Sequence, residues 1–260
     1  MRKPRLGLLL GDPSGIGPEL VAKLLALPES FEVADIVVIG SRQVYEKGLV
    51  TAQLTDSCPH FLNLDNPVRE YVSGCANADS GRYVLASLRL AVTEQRRGEI
   101  DGIVFAPLNK QAMKLAGLQY EDELRYFAAL LDYHGPFSEI NISGSLWTSR
   151  VTSHVPFREI AFLLTCEKIC EAAFMIDGAL RNSGVASPRI AVAALNPHAG
   201  EGGLLGTEEA TIIGPAVKSI QAAGVNATGP WPADTLFMRA NRGEFDAIVT
   251  MYHDQGQIAL

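Results

Sequence analysis

The chain is poor in cysteine, carries no excess of positive charge and has no long apolar run. Its four cysteines, Cys58, Cys75, Cys166 and Cys170, read as reduced structural thiols, since no disulfide framework is expected in a cytosolic enzyme of this size. Cys166 and Cys170 are four apart in a helical pattern and share one face. A zinc site would need more thiols or a nearby histidine, and that segment offers neither. Lys and Arg number 22 against 29 Asp and Glu, a net charge of −7. An electrostatic grip on nucleic acid or an anionic membrane needs clustered cations, so neither partner is expected. The basic start Met1-Arg2-Lys3-Pro4-Arg5 is followed by an apolar run of residues 6–10 only, closed by Gly11-Asp12-Pro13. That is too short for the core of a signal peptide or for a membrane span, so a cytoplasmic location is expected. No fixed-period repeat or low-complexity tract occurs.

What is present is 47% hydrophobic and 20% charged residues with 24 glycines and 14 prolines, the profile of an enzyme-like globule with room for one large or two small domains. Short apolar runs at 5–10, 36–39, 103–105, 189–194 and 247–251 predict strands, and the patterns at 18–27, 81–97, 166–183 and 208–223 predict helices between them. Strands that are apolar throughout, alternating with helices, imply a parallel sheet covered on both faces, and so an α/β fold. Residues 135–159 mix β-branched and polar residues with few helix formers, which suits an antiparallel arm or a crossover. The division into two α/β lobes, 1–135 and 136–260, is drawn there.

Three places carry chemistry. The first predicted strand runs into Gly11-Asp12-Pro13-Ser14-Gly15-Ile16-Gly17-Pro18, with a helix starting near Pro18. Glycines let a ligand approach the backbone, and a helix start offers free amides to an anion. The spacing is not the dinucleotide fingerprint, and a plain strand-to-helix turn explains it equally well. Lys110, in Ala106-Pro107-Leu108-Asn109-Lys110 after the strand at 103–105, stands where a parallel sheet opens its ligand crevice. A solvated loop lysine is the alternative. Strongest is a trio of histidines, His154, His198 and His253, each in a loop after an apolar strand pattern, whereas His60 and His134 lack that context. Neutral imidazoles so placed could converge on one divalent cation and leave positions open for substrate. Asp254 beside His253, and Asp234 in the rigid Gly229-Pro230-Trp231-Pro232-Ala233-Asp234 loop, could orient an imidazole, complete a metal shell or act as a general base.

Together the runs 11–20, 107–110, 153–156, 195–209, 229–237 and 252–256 resemble the 4-hydroxythreonine-4-phosphate dehydrogenases of pyridoxine synthesis and their relatives acting on sugar acids and aromatic diols. The segment from Asn196 to Gly203 followed by Gly206-Thr207-Glu208-Glu209 is the most specific match. The resemblance implies two lobes similar to isocitrate and isopropylmalate dehydrogenases with a cleft between them, and a homodimer with a shared active site. It implies a divalent metal (zinc, magnesium or cobalt) on His154, His198 and His253, and NAD or NADP as oxidant of a small 3-hydroxy acid, with decarboxylation. Lys110, Asp234 and Asp254 are the expected catalytic residues. Gly11, Asp12, Gly15, Asn196 and Gly200 are the expected cofactor contacts.

Two departures qualify this. Where phosphate-handling members carry Gly-His-Thr-Glu, this chain has Tyr120-Glu121-Asp122-Glu123, with Arg125 following. Carboxylates at 121 and 122 would repel a phosphate dianion, so Glu121, Asp122 and Arg125 are expected to face a substrate without phosphate there. The sequence also ends at Leu260, in what reads as an apolar strand, where family members continue with a substrate lysine and an adenine-site loop. A C-terminally truncated chain is therefore expected, and with it a competing reading, a catalytically impaired metal- or acid-binding protein on the same scaffold; a third is an acyl or phosphate transferase, since some of those share a similar two-lobed fold. Anion-handling transferases would lean on Arg and Lys rather than on histidines.

Overall fold

The computed structural model describes residues 2–56, 60–64 and 71–260; Cys58 lies outside them. The chain separates into two compact units, Met1–His134 and Gly135–Leu260.

The first unit runs β1 (Arg5–Leu9), α1 (Gly17–Leu25), α2 (Ser30–Val33), β2 (Asp35–Gly40), α3 (Arg42–Ala52), β3 (Phe61–Asn63), α4 (Ala78–Arg96), β4 (Gly102–Phe105), α5 (Lys110–Leu115) and α6 (Glu123–Leu131). Its strands lie in the order β3-β2-β1-β4, all parallel. Five consecutive residues of β2 are buried, as a strand covered on both faces requires. Helix starts follow from short polar side chains: Asn77 accepts from the Ser80 amide at 2.8 Å, Asn109 from Ala112 at 3.1 Å and Asp122 from Arg125 at 2.9 Å.

The second unit runs β5 (Asn141–Ser143), β6 (Leu146–Arg150), α7 (Ile160–Leu163), α8 (Cys166–Asn182), β7 (Ile190–Ala193), α9 (Gly214–Ala222), β8 (Ala227–Trp231), α10 (Ala233–Asn241), β9 (Ala247–Thr250) and α11 (His253–Gln257). The strand order is β5-β6-β9-β7-β8. β5 and β6 form an antiparallel hairpin, and β6 then joins β9 in parallel, so the 135–159 stretch supplies an antiparallel edge to a parallel sheet. β7 and β9 are buried at every position. Their alternation sorts two cores. Ala191, Ala193 and Ile248 pack with Leu236 and Phe237 of α10, while Ile190, Val192 and Val249 pack with Ile169, Ile176 and Val217 of α8 and α9. This unit is a three-layer α/β/α sandwich, and the α/β class expected from the sequence holds.

The expected strands and helices recur within a few residues, with two corrections. The helix predicted over 208–223 is broken: a wide π-type turn at Glu209–Ile213 precedes α9. Pro215 cannot donate to the helix ladder, and the Glu209 side chain turns into the protein, so the regular spacing fails there. Residues after β9 form α11 and a turn, and Ile258 is 85% exposed, so the segment read as an apolar strand is not one.

At the amino ends of β7 and β9, Asp246 accepts from the Arg189 amide at 2.8 Å and from its guanidinium at 3.0 and 2.7 Å. The Arg189 side chain, first of all, holds the Asp246 carboxyl below its ordinary value. A depressed carboxylate stabilises the fold above its unfolded-state value and loses that contribution as pH falls through the folded one. Wild-type protein should therefore lose thermal stability below about pH 3.8 more steeply than Asp246→Asn, as read by melting temperature against pH.

Candidate active site

β6, β7 and β9 are adjacent parallel strands, and the loops leaving their carboxyl ends carry His154, His198 and His253. Two of these histidines sit in left-handed backbone, His154 at φ 54° and His198 at φ 52°, and the whole run from His198 to Gly202 shares that conformation. Such backbone costs free energy in L-residues, persists only where surroundings enforce it, and clusters at functional sites.

The rings of His154 and His253 stand 5.5 Å apart between centroids, tilted by 38°. Asp254 Oδ1 lies 2.7 Å from His253 Nδ1, so that nitrogen is occupied and Nε2 is left as the donor atom. With metal–nitrogen bonds of ~2.1 Å, two imidazoles on one tetrahedral cation have centroids roughly 5 Å apart, close to the spacing of this pair. His198 lines a neighbouring cavity of about 590 Å³ with Asn196, Asp234, Phe157 and Tyr252, whereas His154 and His253 line one of about 350 Å³. Phe157, Ile160 and Tyr252 wall both cavities. Among the described residues no group of three or more His, Cys, Asp or Glu is arranged to hold a metal. The three-way convergence expected from the sequence is thus not formed here. Two imidazoles meet, and the third is held by its strained loop in the next cavity.

Three anchors fix these loops, and the sequence reading gave none of them a role. The buried Glu209 carboxylate accepts from the backbone of Leu195 at 2.9 Å and Asn196 at 2.7 Å, and from Asn196 Nδ2 at 3.0 Å. Arg150, buried at the end of β6, donates to Ser153 Oγ at 3.0 Å beside His154 and pairs with Glu139. Gln255 bonds both Met251 and Ala194. Glu208 accepts from Asn196 Nδ2 at 2.8 Å; its own backbone amide, then Asn196, lower its pKa. Asn196, expected to touch cofactor, therefore has its side-chain amide committed to the two glutamates. Gly200 likewise serves the loop: at φ 78° it packs so closely on Glu209 that an added Cβ would lie 2.6 Å from Oε2.

In the first unit the turn after β1 rests on the loop after β4. The Asp12 amide donates to Pro107 O at 3.0 Å, and the Asp12 carboxylate accepts from Ser14 at 2.9 Å. The Gly15 amide donates to Asp12 O at 3.0 Å. Gly11, at φ 73°, has no room for a side chain because Pro107 O would be 2.6 Å from it. Asp12 is buried and folds the turn. Lys110 opens α5 with its ammonium exposed, 3.9 Å from Glu123 Oε2. Asp122 is the cap of α6, and Arg125 lies 2.5 Å from Asp122 and 3.4 Å from Glu121. The three residues expected to meet substrate are bound to one another in one ion-pair cluster. In the second unit Asp234, in the first turn of α10, is exposed and shares the larger cavity with His198.

Parallel α/β units whose strand-end loops deliver imidazoles and carboxylates to open cavities define an α/β enzyme working on a small molecule. A family model, pyridoxal phosphate biosynthetic protein PdxA, matches residues 32–260. A Pseudomonas aeruginosa protein, provisionally named a 4-hydroxythreonine-4-phosphate dehydrogenase, is 46% identical over 99% of this chain and 82% of its own length. The crystal structure of 4-hydroxythreonine-4-phosphate dehydrogenase from Klebsiella pneumoniae superposes with a TM-score of 0.88 at 34% identity, covering 98% of this chain and 82% of that one. A terephthalate 1,2-cis-dihydrodiol dehydrogenase from Burkholderia xenovorans gives 0.69 at 27% identity, covering 99% and 82%. The chain belongs to the PdxA family, and with it to the NAD(P)-dependent dehydrogenases acting on a CH–OH group.

Proposed function

We propose that this protein oxidises a small 3-hydroxy acid, with decarboxylation, at a divalent-metal site built on His154, His253 and His198, and that its substrate carries no phosphate at the position facing residues 121–125. The carrying observation is the approach of the His154 and His253 rings to 5.5 Å, with Asp254 occupying His253 Nδ1. A divalent cation (zinc, magnesium or cobalt) held by these histidines would supply Lewis-acid polarisation of a substrate oxygen, and bound NAD or NADP would supply hydride-accepting chemistry. Asp254 orients His253, and Asp234 takes the hydroxyl proton. Lys110, whose ammonium is exposed, anchors the substrate carboxylate. His198, on its left-handed loop in the adjoining cavity, would be the third residue to hold the cation. A cytoplasmic homodimer with shared active sites accompanies this reading.

The absence of phosphate is supported by charge. Arg125, the cation that could receive it, is already engaged by Asp122 and Glu121, and adding a dianion would break those pairs beside two carboxylates. The dihydrodiol dehydrogenase neighbour at 27% identity is named for an unphosphorylated substrate, whereas the relatives at 46% and 34% identity are named for phosphorylated ones. The separation of His198 from the other two rings favours a second reading, a metal-binding protein without turnover.

Formation of the reduced nicotinamide, followed with hydroxy acids and their 4-phosphates in parallel and with and without chelator, tests both. Chelator-sensitive turnover with kcat/KM at least tenfold higher for the unphosphorylated acid is expected. Faster turnover of the phosphate ester removes the substrate claim, and metal uptake with no turnover of any acid favours the second reading.

A further inference from the structure

Parallel pairing of β7 with β9 runs Ile190 opposite Ala247, Ala191 opposite Ile248 and Val192 opposite Val249. Continued by two residues, that register would set Ala194 against Met251. Between those two residues stands the Gln255 side chain: Oε1 accepts from the Met251 amide at 2.7 Å, and Nε2 donates to the Ala194 carbonyl at 2.7 Å. A carboxamide has the donor and acceptor of a peptide unit, so Gln255 acts as one peptide of an extra strand inserted where the ladder stops. Direct pairing would keep the strands about 4.8 Å apart. A group bonded to both, in place of direct pairing, would hold them farther apart, at the point where the His198 and His253 loops leave the sheet.

The outer bonds of the same two residues are also made. Ala194 N donates to Trp231 O at 2.8 Å, and Met251 O accepts from Thr152 N at 3.2 Å and from Thr152 Oγ1 at 2.8 Å. Ala194 and Met251 are fully buried, so water is a poor substitute for the Gln255 contacts. One continuous chain of hydrogen bonds therefore runs from Trp231 through Ala194, Gln255 and Met251 to Thr152, two residues before His154.

We propose that Gln255 is a positioning residue whose carboxamide, wedged between Ala194 and Met251, sets the spacing of the histidine loops after β7 and β9. Its consequence for metal binding rests on the tri-histidine reading above; its consequence for the loops does not.

The test uses the full chain as wild type, Gln255→Leu and Gln255→Glu. In metal-free protein, hydrogen exchange by mass spectrometry should be at least tenfold faster in Gln255→Leu over both 194–204 and 251–257, with the Met1–His134 unit unchanged. Gln255→Glu keeps an acceptor for Met251 and loses the donor to Ala194, so its acceleration should be confined to 194–204. General destabilisation would not divide the segments in that way. Wild-type exchange over 194–204 in both variants overturns the proposal, and so does uniform acceleration across the chain in Gln255→Glu. If Gln255→Leu does not fold, the Gln255→Glu pattern decides. Titration with Co2+ should show binding weakened about tenfold or more in Gln255→Leu. Equal Co2+ affinity in wild type and Gln255→Leu overturns the claim that the wedge spaces the histidines. Wild-type protein that takes up no Co2+ refutes the metal reading, and the exchange patterns still decide the wedge.

Discussion

Replacing His253 with alanine is expected to lower kcat/KM by at least about a hundredfold and to abolish tight Co2+ binding, a larger effect than any substitution outside the strand-end loops. His253 is the member of the close ring pair whose second nitrogen is already held, by Asp254 at 2.7 Å, so its remaining nitrogen is presented in one orientation. Loss of a donor removes a bond to the cation outright, whereas loss of its orienting partner only frees the ring to turn. Asp254→Asn should therefore cost about tenfold, within the range usual for groups that orient a ligand. His134, exposed and hydrogen-bonded to Asp132 at 3.1 Å in the other unit, is the control, and His134→Ala should leave both readouts at wild-type level. If His253→Ala retains wild-type turnover and Co2+ affinity, the histidine pair is a packing feature and the proposed site is wrong.

How far the sequence discloses this arrangement depends on the range of the interaction involved. Strands such as Ile36–Val37–Val38–Ile39 and Ala247–Ile248–Val249 were legible because a parallel strand buried on both faces is apolar at every position, whereas the short β3 and β8, with its Thr228, Gly229 and Pro230, were not. His198 and His253 were legible because each follows an apolar run of that kind, and strand-end loops are where parallel sheets bind ligands; His154 follows the more polar β6, with Thr148, Ser149 and Arg150 buried. The mutual distances of the histidines were not legible, since they depend on loop backbones that take left-handed conformations at His154 and at five successive residues from His198. Asp122 read as a substrate contact because sequence shows charge and not direction; its carboxylate is spent on capping α6 and pairing Arg125. Glu209 and Gln255 were invisible as anchors for the same reason. Their partners are 13 and 14 residues away for Glu209 and up to 61 for Gln255, and no local pattern marks a polar side chain that turns inward.

The dependence of the His198 loop on Glu209 yields the second large effect. Glu209→Ala removes the acceptor for two backbone amides and the Asn196 carboxamide, at a position where Glu209 is only 7% exposed. Each buried donor left without a partner costs about 1–3 kcal/mol, and an ionised acceptor lies at the upper end, so a loss of about 3 kcal/mol or more is expected after partial relaxation. That corresponds to a fall in melting temperature of roughly 6–12 °C for a chain of this size. The loop also stores strain in its left-handed non-glycine residues His198, Ala199 and Glu201, on the order of 1 kcal/mol or more each. Once that anchor is gone, the Glu208 and Gln255 contacts at the start of the loop are left to oppose relaxation of that backbone, and the His198 ring is expected to leave the cavity it shares with Asp234. Turnover should therefore fall even at temperatures where the variant remains folded. Glu209→Gln keeps one oxygen for the Leu195 and Asn196 amides but presents an amide to Asn196 Nδ2, so its melting temperature should fall by about half as much. Wild-type melting and turnover in Glu209→Ala would show that the loop holds its shape without the carboxylate, and the strain would then need another source of support.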